Sequence, residues 1–305
     1  MSPDRVITEV DGRELSLSNL DKVLYPRTGF TKSQVLDYYA RIADVMVPHV
    51  RGRPTTFRRY PNGVDGMSFY EKHAPDHQPD WIATIDVPSK SGGAAITYTA
   101  VSDRPSLLWA ANLAALEFHV PLWHVAKGKP NPAPPDFMVF DLDPGPGTSI
   151  VDCCRVAHWL GERLGREMLF AKTSGSKGLQ LYSRVRRTTW EKLGERAHET
   201  ARAIERDHPR DVVSVMRKSL RQGKVLIDWS QNSSSKTTVA AYSLRAREEP
   251  TVSTPVSWKE VDKCAKSGDP NELRFEAKEV LRRVEKIGDL METLATTKPR
   301  AKSNT

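Results

Sequence analysis

Cysteine is scarce in this sequence: Cys153, Cys154 and Cys264 are the three in 305 residues. Two are adjacent and none forms a C-x-x-C pair, so neither a zinc cluster nor a disulfide framework is indicated. No apolar run approaches the roughly 20 residues that a bilayer span needs. The opening, MSPDRVITEVDGREL, lacks the apolar core of a signal peptide. There is no internal repeat. The G-x-x-x-x-G-K-[ST] spacing of a P-loop is missing. So is the K-x-D-G motif of nucleotidyl ligases: EVDG at 9–12 has Glu9 where Lys is required. These absences predict a protein of the reducing cytoplasm with no membrane partner.

What is present is ordinary in amount and unusual in placement. The length leaves room for one large or two ordinary domains. Lys plus Arg number 46 and Asp plus Glu 38, a formal charge of +8 that fits a polyanionic partner. RVITEVDGRELSLSN reads as two short strands around Asp11-Gly12. TKSQVLDYYARIADVMVPHV reads as a helix, capped by Thr31 with Gln34, with Val35, Tyr39, Ile42 and Met46 on one face. WIATIDVPSKSGGAAITYTAV predicts a hairpin, and RPSLLWAANLAALEFHV a buried helix running into His119. The proline-rich GKPNPAPPD is the best internal boundary. Beyond it the pattern predicts a strand ending at residue 143, a helix over SIVDCCRVAHWLGERLG, and strand–glycine loop–strand over MLFAKTSGSKGLQLYSRV. An amphipathic helix over TTWEKLGERAHETARAIERDH, a strand in KVLIDWSQN and a last helix over NELRFEAKEVLRRVEKIGDLMETL follow. TTKPRAKSNT has no apolar face and reads as a disordered basic tail. The mixture is α/β or α+β, with central sheets flanked by helices.

The chemistry sits in FMVFDLDPGPG, residues 137–147. Residues i and i+2 of a strand share a face, so Asp141 and Asp143 present two carboxylates at one strand end. Such like charges raise each other's pKa unless a cation neutralises them; Mg²⁺ and Mn²⁺ prefer oxygen ligands. VLIDWS delivers a third, Asp228, and three carboxylates suit a two-metal phosphoryl-transfer site. Solvated turn aspartates are the plain alternative, since Asp-Pro-Gly is good turn chemistry. KTSGSKG offers a glycine loop whose N–H groups and Lys177 suit an anion; a flexible hairpin tip is its plain alternative. His119, RKSLRQGK (217–224) and SLRAR (243–247) add candidate phosphate contacts or, equally, a solvated basic face.

VFDLDPG, TSGSKGL, VLIDWSQN and KTTVAAYSLRAR, in this order, resemble the polymerase domain of bacterial DNA ligase D, within the archaeo-eukaryotic primase superfamily. LSNLDKVLYP…GFTKSQVLDYYARIA and RRYPNGVDGMSFYEK are similar too, so the resemblance spans about residues 10–290. It implies a primase-polymerase core over 1–294, with an N-terminal lobe to about 135 and a catalytic lobe from about 136, and the tail at 295–305. It implies that Asp141, Asp143 and Asp228 hold two divalent ions, Mn²⁺ or Mg²⁺. It places His119, Ser174, Lys177, Arg221, Gln231 and Arg245 around an incoming nucleoside triphosphate. Lys22 and Lys32 match a pocket for a downstream DNA 5′-phosphate. Arg58, Arg59, Phe69 and Tyr70 match DNA contacts, the aromatic pair stacking near the templating base.

Three positions depart from the pattern expected of relatives: Tyr70 for Phe, Arg58 for Lys, and Gln180 for His. The activity implied is template-dependent filling of gaps or extension of ends in DNA repair, with a preference for ribonucleotides. The partners implied are gapped or broken DNA, with a separate ligase and an end-binding protein, in the bacterial nucleoid. The absence of an attached ligase motif leaves a free-standing enzyme or an excised domain, and the form of the two ends favours the former. Two other readings stay open: a non-catalytic DNA-end binding module, and an Asp-x-Asp phosphatase of the haloacid dehalogenase type. The latter wants a small hydroxylated residue soon after the second Asp, where this chain has Pro144-Gly145.

Overall fold

A computed structural model describes residues 5–89, 92–125 and 131–295. The expected tail beyond Ala295, the hairpin tip at 90–91 and the start of the proline-rich connection lie outside the described residues. Strands β1 (Arg5–Val10) and β2 (Arg13–Ser18) form the expected hairpin, followed by the short pair β3 (Val23–Tyr25) and β4 (Phe30–Thr31). Helix α1 (Lys32–Val50) starts at Thr31, where the capping box with Gln34 is present. It buries Val35, Tyr39, Ile42 and Met46, the face that the periodicity predicts.

Strands β5 (Thr56–Arg59) and β6 (Phe69–Glu71) come next, then the hairpin β7 (Thr84–Val87) and β8 (Ile96–Thr99). The long apolar run after residue 104 is not one helix. Helix α2 (Arg104–Asn112) stops, Ala114 takes a positive φ of 60°, and Ala115–Val120 continues as strand β9. His119 therefore sits on a strand.

In the second half, β10 (Phe137–Pro144), α3 (Ile150–Leu164), β11 (Phe170–Thr173), β12 (Leu179–Arg184) and α4 (Trp190–Asp207) follow the expected order. Then come β13 (Val212–Val213), β14 (Val225–Asp228), β15 (Thr238–Val239) and β16 (Pro255–Val256). Helix α5 (Trp258–Ser267) was not marked in the sequence. The expected last helix is broken into a turn at 270–273, α6 (Ala277–Ile287) and α7 (Glu292–Ala295), with Gly288 closing α6.

Two sheets carry the architecture. One has the order β15-β9-β5-β6 and the other β13-β14-β10-β12-β11-β16, antiparallel except for the parallel pair β13–β14. β15 comes from the second half of the chain yet pairs with β9 in the first sheet. One apolar cluster runs through both, from Tyr39 and Phe118 to Leu142 and Leu181. The Tyr39 hydroxyl donates to the Leu116 carbonyl and accepts from the Leu244 amide, a further tie between the halves.

Candidate active site

The register of the larger sheet answers why its aspartates stand where they do. Asp228, Asp141, Gln180 and Lys172 lie directly opposite one another across β14, β10, β12 and β11. Directly opposed residues share a face. Asp143, two residues beyond Asp141, extends the row on that face. All are anchored on strands of a packed sheet, which holds a site more firmly than loops do.

Asp141 and Asp143 line a cleft of about 390 Å³ together with His119, Ser174, Lys177, Gln180, Arg221, Arg245 and Arg247. Sequence-expected residues from both sheets thus meet at one place. Gln231 stands behind it, its Nε2 donating to Asp228 at 3.0 Å. The other oxygen of Asp228 accepts from the Ser230 amide and hydroxyl. Among the described residues, no three His, Cys, Asp or Glu side chains converge as a finished metal cage; Asp228 is engaged by its own turn. The residues nevertheless fit divalent cations. Asp141 Oδ1 is buried with no hydrogen-bond partner among the described residues. Burial and then Asp143 raise the pKa of Asp141, against the influence of Gln180 and Lys172. Burial and then Asp228 raise that of Asp143, against Arg221. A carboxylate cluster in this condition takes up either protons or cations.

That competition has a direction in pH. Both groups keep protons above the ordinary carboxylate range in the metal-free protein, so a cation must displace them. Mn²⁺ affinity is expected to rise as pH climbs through this extended range, with proton release on binding. Calorimetric titration in buffers of different ionisation enthalpy measures it; an affinity flat across that range would remove the assignment.

The glycine loop is built by close approach. Ser174 Oγ accepts from the Ser176 and Gly178 amides, and Arg245 Nη1 donates to the Ser174 carbonyl at 2.6 Å. A Cβ on Gly178 would lie 2.3 Å from the Leu142 carbonyl oxygen, and one on Gly145 1.9 Å from that of Arg221. The loop and the Asp-Pro-Gly turn are thus pressed against the strands that carry the acids. Lys177 is exposed at the rim.

The smaller sheet supplies the other wall. Phe69 and Tyr70 on β6 are 40% and 58% exposed, as a stacking platform requires. Arg59 lies over the Phe69 ring and Arg58 over Tyr70. Lys22 and Lys32 come close enough to act on each other: burial first, then Lys22 and Arg59, lower the pKa of Lys32 to about 8. The N-terminus of α1 beside Lys32 offers no free N–H groups to a phosphate. The Lys32, Ser33 and Gln34 amides donate to Lys22 O, Leu20 O and Thr31 Oγ1. Any phosphate there meets lysine ammonium groups rather than helix N–H groups.

Two residues escaped the sequence reading. Lys172 is 1% exposed, and its ammonium donates to Gln180 Oε1 at 2.5 Å and Ser253 Oγ at 2.7 Å. Burial lowers its pKa, and Asp141 works the other way. Gln180, at the position where relatives were expected to carry His, thus joins a buried cation to the acid row. Glu117, equally buried, bonds His119 Nε2 at 2.9 Å and the Ala246 amide at 3.1 Å. The available signal for Glu117 was a charged residue inside an otherwise apolar strand, ALEF; Lys172, in FAKT, carried none.

A sheet that delivers paired acids to a cleft walled by a basic glycine loop, with an aromatic pair beside His119 on the facing sheet, defines a primase-polymerase, a nucleotidyltransferase. A family model described as "LigD, primase-polymerase domain" matches residues 31–291. The chain is 43% identical over 298 residues to the "Multifunctional non-homologous end joining DNA repair protein LigD" of Mycobacterium tuberculosis, covering 94% of this chain and 38% of that protein. It is 29% identical over 252 residues to the "Bifunctional non-homologous end joining protein LigD" of Bacillus subtilis, covering 81% of this chain and 39% of that protein. A solved "Polymerase Domain from Mycobacterium tuberculosis Ligase D in complex with DNA" superimposes with a TM-score of 0.86 and 43% identity, over 93% of this chain and 99% of that one. The chain belongs to the LigD primase-polymerase domain family. It spans less than half the length of these curated relatives. Among the described residues, no helix is long and apolar enough to cross a membrane.

Proposed function

We propose that this chain extends a primer 3′-hydroxyl against a template, filling short gaps or extending broken ends of 5′-phosphorylated DNA in the bacterial nucleoid. Ribonucleoside triphosphates are its preferred substrates. A separate ligase and an end-binding protein complete the repair. Residues 1–294 act as one catalytic domain whose two lobes meet at the cleft, a reading supported by the β15 crossover and the common core. The observation that carries the proposal is the opposed row Asp228–Asp141–Gln180–Lys172, of which Asp141 and Gln180 line a cleft rimmed by cations.

Asp141, Asp143 and Asp228 would hold divalent cations, Mn²⁺ or Mg²⁺, which when bound offset the three carboxylates and the charge of the leaving pyrophosphate. Lys177, Arg221 and Arg245 bind and orient the triphosphate, with Ser174 fixing the loop that carries Lys177. Asp228, pinned by Ser230 and Gln231, lies on the primer side and draws the proton of the 3′-hydroxyl. Phe69 and Tyr70 stack near the templating base, where a base on an aromatic ring is worth about 1–3 kcal/mol. Primer extension on gapped and overhanging duplexes, with each nucleotide sugar and each metal, tests this reading. A protein that binds such DNA but never extends it is an end-binding module instead.

Lys22 and Lys32 recognise the 5′-phosphate beyond the gap. A phosphate needs the charged ammonium, and the Lys32 ammonium loses its proton as pH rises through about 8. The preference for phosphorylated over unphosphorylated gaps is therefore expected to fade above that pH. Replacing both lysines by Ala should erase it and reduce the log–log salt slope by ~0.9 per lost contact. Binding isotherms across a salt series, with and without the 5′-phosphate, measure both. Equal wild-type affinity for the two duplexes would remove this pocket.

A further inference from the structure

Glu117 touches no part of the acid row, yet it lies at the crossing of the two other functional groups of the cleft. Tyr70, Arg58 and Glu117 are directly opposed across β6, β5 and β9. Arg58 Nη1 is 3.9 Å from Glu117 Oε1, and the Arg58 guanidinium lies 5.2 Å from the Tyr60 ring centroid and 5.3 Å from that of Tyr70. His119, two residues along β9 on the same face, donates to Glu117 Oε2 and meets the Tyr70 ring edge-on at 5.7 Å. Glu117, His119, Tyr70 and Arg58 thus close a ring of contacts. From the other side, Arg245 Nε is 3.3 Å from Glu117 Oε1, and Arg245 also holds the Ser174 carbonyl of the glycine loop.

One buried carboxylate therefore serves four groups: Arg58, His119, Arg245 and the Ala246 amide. Burial alone would raise its pKa; the His119 hydrogen bond and the charges of Arg245 and His119 outweigh that and hold it down to about 2. The Nε atoms of Arg58 and Arg245 are buried without a well-aligned acceptor. The cluster holds more donors than Glu117 can satisfy and is open to an anion on its cleft side.

We propose that Glu117 is a positioning residue that couples the stacking platform to the nucleotide cleft. It fixes His119 and Arg245 for the triphosphate and, through Arg58 and His119, fixes the Tyr70 ring for the template. A nucleotide that pairs with a stacked template base meets both walls in register; one added without a template meets only the first. The inference rests on the polymerase reading above.

The test is steady-state single-nucleotide extension by wild type, Glu117→Gln and Glu117→Asp, with and without a templating base. Glu117→Gln keeps the shape but loses the charge and one acceptor. KM for the templated nucleotide should rise about tenfold, within the span typical of coupled sites, with little change in kcat. The ratio of templated to untemplated addition should fall by a similar factor. Glu117→Asp, which keeps the charge on a shorter stem, should lie between. A lowered KM would mean that Glu117 merely repels phosphate and would overturn the proposal, as would an unchanged ratio. If Glu117→Gln does not fold, Arg58→Met opens the ring from its exposed side: a reduced ratio supports the coupling, and an intact one overturns it. Failure of wild type to extend at all would instead count against the polymerase reading.

Discussion

Asp143→Asn is expected to lower metal-dependent extension on the order of a thousandfold, about 4 kcal/mol of transition-state stabilisation. DNA binding should survive, because the basic platform on the smaller sheet is untouched. The same substitution should make the metal-free protein more stable. Asp143 lies among carboxylates that raise one another's pKa, and amide replacement removes a charge from that group. At pH above the raised range of these carboxylates, and in a chelator, wild type carries this repulsion in full and Asp143→Asn does not. A gain equivalent to about 1 kcal/mol would lift the melting temperature by roughly 2–4 °C. Asp141→Asn should lose activity equally, but its stability gain is offset because Lys172 loses its counter-charge. Melting curves in a chelator and after Mn²⁺ addition check the opposed effects. A variant both inactive and less stable would indicate that these aspartates serve the fold.

Gly178→Ala should be nearly as damaging, for a reason unrelated to charge. The added methyl would sit 2.3 Å from the Leu142 carbonyl oxygen, between the two acids of β10. Leu142 pairs with Leu179 in the ladder, so relief requires β12 to move away from β10. Overpacking of this kind costs about 1–3 kcal/mol, and the shift displaces both the acid row and Ser174. Extension should fall about a hundredfold, since misplacement by an ångström costs on that order. Gly93→Ala, whose Cβ would meet, among the described residues, only Ser89 Oγ at 3.8 Å, is the control and should change neither stability nor activity. Normal extension by Gly178→Ala would mean that the loop is a pliable hairpin tip.

The elements most legible in the sequence are those with local signals. Thr31 with Gln34 marks the start of α1, and FMVF followed by Asp-Leu-Asp-Pro-Gly marks a buried strand and its end. Asp141, Asp143 and Asp228 could be named from strand patterns, but their register could not, because pairing is a long-range choice. The run from Leu107 to Val120 holds neither glycine nor proline, so nothing in it announces that Ala114 turns and the chain becomes β9. The same run concealed Glu117, whose partners Arg58 and Arg245 lie 59 residues before and 128 residues after it by sequence number. Lys172 was equally silent: FAKTSG gives no sign that its lysine points inward to Gln180. The N-terminus of α1 was legible only as a cap: that its first amides are met by the Lys22 and Leu20 carbonyls and the Thr31 hydroxyl depends on the fold of the preceding segment.

The measurement that bears most directly on the acid row is extension of a labelled primer on a gapped, 5′-phosphorylated duplex. Wild type is compared with Asp141→Asn, each with Mn²⁺ and with chelator. The expected result is addition of the template-complementary nucleotide by wild type with metal alone, and none by the variant under either condition. Addition by wild type in chelator, or undiminished addition by Asp141→Asn, would contradict it.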